Sequence, residues 1–136
     1  MAVPTIFGPG TRLLSGGEMD TNFATLAGGG GMSTLNNVTA HAGGGQALGV
    51  AMTAAINRVT TVGTAGDSVC LPAAVGGQYI TLINASATSM NVFSSNASTA
   101  DSINGTAGTT AYAIAGGKTA DFVSPAAGIW HALLSA

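Results

Sequence analysis

Turn residues recur about every ten residues from Val50 to the C-terminus, with short β-prone runs between them. The runs predict strands at 50–54, 56–62, 67–71, 78–84, 89–94, 101–104, 110–114, 118–124 and 129–134. Many short strands at this spacing are typical of a sandwich or a barrel. The connections are too short and too Gly-rich for crossover helices, so mainly antiparallel sheets are expected. The predicted fold is therefore all-β, an antiparallel β-sandwich or a jelly-roll-like barrel.

Alternation within the runs predicts which side chains share a side of a strand. In the run 79–83, Ile80 and Leu82 lie on one side of a strand, and Tyr79, Thr81 and Ile83 lie on the other. In the run 119–123, Ala120 and Phe122 likewise share one side.

The first part of the chain has a different character. Pro4, Gly8, Pro9 and Gly10 interrupt residues 1–14, which predicts an extended arm. Ser15 and Glu18 have the spacing of a capping box and predict the start of one short helix, which the glycines at 28–31 end. The domains expected are an arm, helix and Gly-rich linker at 1–49, with 32–38 as a further strand candidate, and a sandwich or barrel at 50–136.

Apolar side chains on the arm and helix need a surface to cover them, because they would otherwise face water. They are predicted to dock on a partner. The candidate docking residues are Ile6, Phe7, Leu13, Leu14, Met19, Phe23 and Leu26.

Charge is scarce: only 6% of the 136 residues are Asp, Glu, Lys or Arg. An ordinary soluble domain has about 25%. This scarcity favours a surface that is buried against neighbouring molecules, although a monomer solubilised by hydroxyls and amides remains an alternative. The longest uncharged stretch, 21–57, is expected to contribute to that partner-facing surface.

The same composition argues against nucleic-acid and membrane functions. Arg12, Arg58 and Lys118 are the only cations and are far apart in sequence, whereas a phosphate-binding patch needs them clustered. The uncharged stretch is broken by polar residues and glycines, so it does not predict a spanning helix. No signal peptide is expected, because no basic region followed by an apolar run is visible at the N-terminus.

A phosphate-binding loop is suggested by Gly117-Lys118-Thr119, but the full pattern requires glycine where Tyr112 stands. It also requires a following helix, whereas 120–125 reads as a strand. A hairpin turn is predicted there instead. The glycines at 43–45 match a dinucleotide fingerprint only in part, since its third glycine position is Leu48.

The sequence predicts no catalytic, cofactor-binding or metal-ligating residue, and no enzyme. His41 and His131 have no Cys or carboxylate at ligand spacing, although a site that shares one His from each of several subunits remains open. Asp67 and Asp101 occur in similar Asp-Ser turns, where an Asp can bond its own backbone two residues on. Cys70 lies in an apolar run and is expected to be a buried, inert thiol.

The stretch from Thr60 to Trp130 resembles a module of tailed-phage virion proteins. An ordered set of short motifs carries the resemblance: a Leu-Pro strand end, a strand that closes on Asn, an Asp-Ser-Ile-Asn-Gly turn and a terminal Gly-x-Trp. These motifs occur within 64–74, 77–84, 91–93, 101–105, 117–118, 122–123 and 128–131.

The resemblance implies a trimeric, β-rich structural part of a virion and no catalytic residues. The expected function is a capsid decoration (cement) protein on the surface of a phage head, with further copies of itself and the major capsid protein as partners. The alternative is a fibre or receptor-binding module of a phage head or tail. The positions of Tyr79 and Tyr112 inside strands weigh against glycan binding, which needs exposed aromatic side chains.

Overall fold

The computed structural model describes residues 32–95 and 101–136, and these residues form eleven strands and one 3-10 helix. The all-β prediction is confirmed for this part of the chain. The strands are β1 (Thr34–Thr39), β2 (Val50–Ala51), β3 (Ile56–Thr61), β4 (Ser68–Cys70), β5 (Gln78–Asn84), β6 (Met90–Phe93), β7 (Ser102–Ile103), β8 (Thr106–Ala107), β9 (Tyr112–Ile114), β10 (Thr119–Ala126) and β11 (Ile129–Leu134). The 3-10 helix is Gln46–Leu48.

The strands form two sheets, and the first six strands alternate between them. The larger sheet has the order β1-β3-β5-β10-β11-β7-β8, and the smaller has the order β2-β4-β6-β9. β1, β3 and β5 are parallel neighbours in the larger sheet, and β2, β4 and β6 are parallel neighbours in the smaller one. The chain therefore winds as a solenoid, and each strand pairs with the strand one full coil earlier.

A coil takes roughly 20 to 25 residues, which is within the range of solenoid repeats. Thr34 pairs with Ile56, and Ile56 pairs with Thr81. In the smaller sheet, Val69 pairs with both Val50 and Val92. We call residues 32–95, which hold these coils, the coil region.

The last strands reverse direction and close the final coil. β9 pairs antiparallel with β6, and β10 pairs antiparallel with β5 and β11. The turn between β7 and β8 is a tight hairpin in which Asn104 and Gly105 both have positive φ angles, 52° and 78°. This Asn-Gly turn was predicted, because both central positions of such a turn favour residues that tolerate positive φ. We call residues 101–136 the cap region.

The expectation of an antiparallel sandwich or jelly-roll-like barrel is wrong for this topology. Of the nine strand pairings in the described residues, five are parallel and four are antiparallel. Antiparallel sheets were predicted because a direct return to the same sheet in the parallel direction requires a long crossover, and the connections are short. Here each short connection crosses to the other sheet, so the return passes through a second strand and needs no helix.

The predicted domain boundary between residues 49 and 50 falls inside a compact unit that comprises Met32–Ala136. β1 contributes the first strand of the larger sheet, and Val38 and Ala40 belong to the buried core. The strand candidate at 32–38 thus corresponds to β1. The predicted arm (1–14) and helix (starting at Ser15) lie outside the described residues.

The core lies between the two sheets and is built from the inward positions of each strand. Ile80 and Leu82 share one side of β5, as the alternation predicted, and the structure shows that this side is buried while Tyr79 faces solvent. The largest apolar side chains with near-zero solvent exposure are Met52, Val59, Val69, Leu71, Leu82, Met90, Val92, Ile114, Phe122 and Trp130.

Candidate functional site

The seven predicted docking residues, Ile6, Phe7, Leu13, Leu14, Met19, Phe23 and Leu26, all lie outside the described residues. Their role therefore stays a prediction.

Asp67 fastens two consecutive coils to each other. Its carboxylate accepts hydrogen bonds from the backbone N–H groups of Gly43 (3.0 Å), Gly63 (2.8 Å) and Thr64 (3.0 Å), and from the Thr64 hydroxyl (2.8 Å). The bonds from Thr64 and Gly43 are the main reason that the pKa of Asp67 is lowered from 3.8 to about 2, because hydrogen bonds to the charged form stabilise it. Gly43 precedes β2, whereas Gly63 and Thr64 follow β3, so the carboxylate joins neighbouring turns of the winding.

The other two aspartates of the described chain have different partners. Asp101 is buried and accepts a hydrogen bond from the N–H of Ala74 (3.0 Å), which ties the start of the cap region to the connection between β4 and β5. Asp121 is half-buried in β10 and accepts a hydrogen bond from the Thr81 hydroxyl (2.7 Å). The forward Asp turn expected at positions 67 and 101 is not what forms. Both carboxylates bond to residues earlier in the chain.

The two histidines lie at different sheets, and only His131 is part of a strand. His41 forms a bridge with Ser68, beside the smaller sheet, in which its N–H donates to Ser68 O (3.0 Å) and its carbonyl accepts from Ser68 N–H (2.9 Å). His131 is exposed on β11 of the larger sheet. Within residues 32–95 and 101–136, no group of three or more His, Cys, Asp or Glu side chains could hold a metal ion.

Cys70 is buried at the end of β4, and its Sγ lies 2.9 Å from the carbonyl oxygen of Gln46. Burial raises the pKa of this thiol, because desolvation penalises the thiolate. The expectation of a buried thiol is confirmed, and the raised pKa disfavours nucleophilic chemistry at pH 7.

The Gly-Lys motif forms a turn and no phosphate-binding loop. The N–H of Lys118 donates to Ala115 O (3.2 Å), Gly117 has a φ angle of 74°, and strand β10 begins at Thr119 where the loop motif requires a helix. The turn was predicted, but it is not a hairpin, because β9 and β10 belong to different sheets.

A cleft of about 550 Å³ lies where the chain crosses from the smaller sheet to the larger one. Its floor includes the buried side chains of Met52, Leu71 and Ile80, and its rim includes Thr53 and Gln78. None of its described lining residues is charged. They are Ala51, Met52, Thr53, Ala54, Ala55, Leu71, Pro72, Gln78, Tyr79, Ile80 and Ser95.

The solvent side of β5, β10 and β11, which we call the outer face, carries the largest group of exposed apolar side chains on neighbouring strands. Tyr79, Val123 and His131 lie directly opposite one another on the three strands. In the next row, Thr81 is opposite Asp121, which is opposite Leu133. Tyr79 is 40% exposed and Leu133 is 70% exposed.

The outer face removes one objection to glycan binding, whereas a partner-facing role of the stretch 21–57 stays a prediction. Tyr79 does lie inside a strand, but it points outward, so its position in a strand does not hide its ring. The exposed apolar side chains are also concentrated after residue 74, at Val75, Tyr79, Val123, Ile129, Leu133 and Leu134, while only Met32 and Leu48 come from the described part of the uncharged stretch 21–57. The alternation of the run 79–83 was the signal that could have identified this face.

The remaining large aromatic side chains of the cap region are internal. Tyr112 is half-buried and its ring meets Phe122 edge-on, with centroids 5.7 Å apart and an interplanar angle of 76°. Trp130 is fully buried. Its indole Nε1 has no hydrogen-bond partner among the described residues.

The comparisons with known proteins returned no match: no family model, no curated protein and no solved structure is similar to this chain. In the part of the chain that the structure describes, no helix is long and apolar enough to cross a membrane.

Proposed function

We propose that this chain is a structural virion protein, a capsid decoration (cement) protein that binds the outer surface of a phage head. It would stabilise the shell through self-association, as a homotrimer, and through docking of its N-terminal arm on the major capsid protein. This proposal includes no catalytic activity and no cofactor, and it locates the protein on the capsid surface. Its starting point is the resemblance of residues 60–130 to virion modules.

The observation that carries the proposal is the difference between the two ends of the solenoid. The cap region closes the last coil, because β9 and β10 pair with β6 and β5. At the other end, β1 and β2 are the edge strands of stacked parallel coils and have one neighbour each among the described residues. The opposite edges, β8 and β9, also have one neighbour each, but these strands are short and lie in antiparallel pairs. Terminal coils of a repeat protein need cover, because a coil cannot bury its stacking surface alone. We therefore assign the end formed by β1 and β2 to partner contact.

The edge of β1 favours a contact of defined size over open-ended stacking of strands. Asn37 has a φ angle of 59°, and the register with β3 shifts between Leu35 and Val38. Such a bulge distorts an edge strand and disfavours its pairing with strands of other molecules. A closed oligomer or a specific site on a shell fits this edge better than a fibril does.

The use of the polar side chains also supports a structural role. Asp67 and Asp101 are both nearly buried, and their carboxylates bond to backbone N–H groups of neighbouring connections. A general acid or base instead needs a carboxyl group that can reach a substrate. In the described residues, most of the buried polar inventory thus serves to hold the coils together.

The proposal is tested by a binding assay between purified shells and three forms of the protein: the intact chain, a chain that lacks residues 1–27, and a full-length Phe7→Asp variant. Both altered forms are expected to lose binding, because they remove the arm or its apolar contact. A full-length Leu133→Ala variant is the control and should bind as the intact chain does. Undiminished binding by the truncated chain would overturn the anchoring role, and a strict monomer in sedimentation at high concentration would overturn self-association.

A second candidate function is a fibre or receptor-binding module. It is favoured by the outer face, where Tyr79 is exposed on a rigid sheet beside Asp121 and His131. This face is made by β5, β10 and β11, whereas the end assigned to partner contact is made by β1 and β2. The two functions therefore do not require the same surface.

A further inference from the structure

We propose that four side chains of the outer face, Tyr79, Thr81, Asp121 and His131, form a binding platform for a neutral saccharide. The platform spans three adjacent strands of the larger sheet. This inference rests on the second candidate function and is independent of capsid anchoring.

The ring of Tyr79 lies along the sheet surface. Its hydroxyl lies 3.4 Å from the Thr81 hydroxyl, although the two residues are neighbours on the same side of β5. Residues i and i+2 of a strand are about 6.6 Å apart, which is close to the length of a tyrosine side chain. The ring must therefore lean along the strand, and it does not stand upright from the sheet. With 40% of the residue exposed, a tilted ring offers the flat apolar surface on which the C–H face of a sugar packs.

Hydrogen-bonding groups lie beside the ring. Asp121 Oδ1 accepts the Thr81 hydroxyl at 2.7 Å, and this bond fixes the carboxylate on the row next to Tyr79. A carboxylate offers about four acceptor positions, so the single bond to Thr81 leaves capacity for the hydroxyl groups of a ligand. His131, which lies across Val123 from Tyr79, adds an exposed imidazole that can donate or accept.

The charged side chains on and near the platform indicate the class of ligand. Asp121 is the only acidic or basic residue in the two rows that form the platform, apart from the titratable His131. Arg58 lies on β3, opposite Ile83, and its guanidinium bonds to Asn36 (3.2 Å). Arg58 is thus on the same side of the sheet, one strand beyond β5, but the platform itself holds one carboxylate and no arginine or lysine. The carboxylate disfavours phosphates, sulfates and sialic acids at the platform. A neutral ring with several hydroxyl donors matches an aromatic surface and a carboxylate acceptor.

The support of the platform is rigid. Leu82 and Phe122, on the inward side of β5 and β10, are completely buried, and β10 is hydrogen-bonded to strands on both sides. Sites on such packed strands hold their geometry better than sites on loops. The protein therefore loses little conformational entropy when a ligand binds.

The test uses the full-length protein in a screen against immobilised neutral and anionic oligosaccharides, with choline chloride as a soluble cationic competitor. Binding to one or more neutral oligosaccharides is expected. Any such ligand is then titrated against the variants Tyr79→Ala and Asp121→Asn, which should each weaken binding by about tenfold or more if they remove a central contact. Leu48→Ala removes an even more exposed apolar side chain away from the platform and is the control, which should bind as the unaltered protein does.

Three results would overturn the proposal: no neutral oligosaccharide bound at millimolar concentration, binding to anionic sugars alone, or displacement by choline, which would identify a cation site. Retained binding in both Tyr79→Ala and Asp121→Asn would also overturn it, with circular dichroism to verify that the variants are folded. Shell binding of the same variants separates the two functions. A negative saccharide screen together with normal shell binding removes only the platform, and the reverse result removes only the cement role.

Discussion

The coil region and the cap region use different side chains to fill one continuous core. The coil region is filled mainly by aliphatic residues, such as Val69 and Val92, which pair in register on neighbouring coils. The cap region instead buries Phe122 and Trp130. Stacked coils repeat the same cross-section, so medium-sized side chains fill each layer. The last coil has no following layer, and larger aromatic side chains close it.

The two regions also differ in how their connections are held. In the coil region, buried side chains fasten the crossings between sheets: Asp67 joins consecutive coils, and Asn57 bonds the backbone of Ala54 through its Nδ2 (2.7 Å). In the cap region, strands β10 and β11 form a hairpin with direct antiparallel pairing. The crossings of the coil region therefore depend on specific polar side chains, whereas β10 and β11 of the cap region are joined mainly by their backbone ladder and by apolar packing, and Asp101 ties the start of the cap region to the coils.

The largest effect is expected from truncating Trp130, the largest buried side chain of the cap region. Trp130→Ala should lower the free energy of unfolding by about 3–5 kcal/mol, because it leaves a large cavity at the end of the core. Unfolding is measured by circular dichroism in denaturant, and the accessibility of Cys70 to a thiol reagent reports on the coil region in the same variant. Cys70 is the only cysteine, so the label has one site.

Leu133→Ala is the control for that variant, because this side chain is 70% exposed on the same strand. Its effect should stay within about 0.5 kcal/mol. If Trp130→Ala exposes Cys70 together with the loss of cap structure, the two regions form one cooperative unit. If Cys70 stays protected after the cap region has unfolded, the coil region is stable without Trp130. The two regions would then unfold independently.

An intermediate effect is expected where the two regions touch, at Gly116. A Cβ atom at this position would lie 2.4 Å from the backbone C and O atoms of Ala87, which cannot move independently of the strand connection. Gly116→Ala should therefore cost about 1–3 kcal/mol of stability through overpacking. Gly45→Ala is the matched control in the coil region, since its Cβ would meet nothing within 4 Å and its φ angle is −114°. Equal stability of the two variants in denaturant would contradict a tight contact between Gly116 and Ala87.

The smallest effect is a pH dependence confined to the coil region. Hydrogen bonds lower the pKa of Asp67 to about 2 in the folded protein, against an ordinary value of 3.8. The unfolded chain therefore takes up this proton first as the pH falls, and stability is lost between about pH 4 and pH 2 while it is fully present above that range. Thermal unfolding measured across this range should show the loss in the unaltered protein and a smaller loss in Asp67→Asn.

An acid profile of Asp67→Asn that is superimposable on the unaltered profile would mean that another group controls acid stability.

Much of the local structure could be predicted from the sequence, because it depends on neighbouring residues. The predicted strands at 78–84 and 129–134 coincide with β5 and β11, and the predicted strand at 50–54 was too long because the chain leaves β2 after Ala51. β8 was missed, since two residues carry too little periodicity to be recognised. Of the outer-face platform, the sequence showed that Tyr79 and Thr81 share a side, but not that Asp121 and His131 lie beside them.

What the sequence determined by itself is thus where most of the strands lie and which of their residues share a side. Alternation in a strand is a property of the backbone, and the turn residues act on their immediate neighbours. Only the tertiary structure decided which strands are neighbours and in which direction they run. A short Gly-rich connection permits either a return within one sheet or a crossing to a second sheet. The choice depends on contacts between residues about twenty positions apart, such as those between Thr34 and Ile56, which no local pattern encodes.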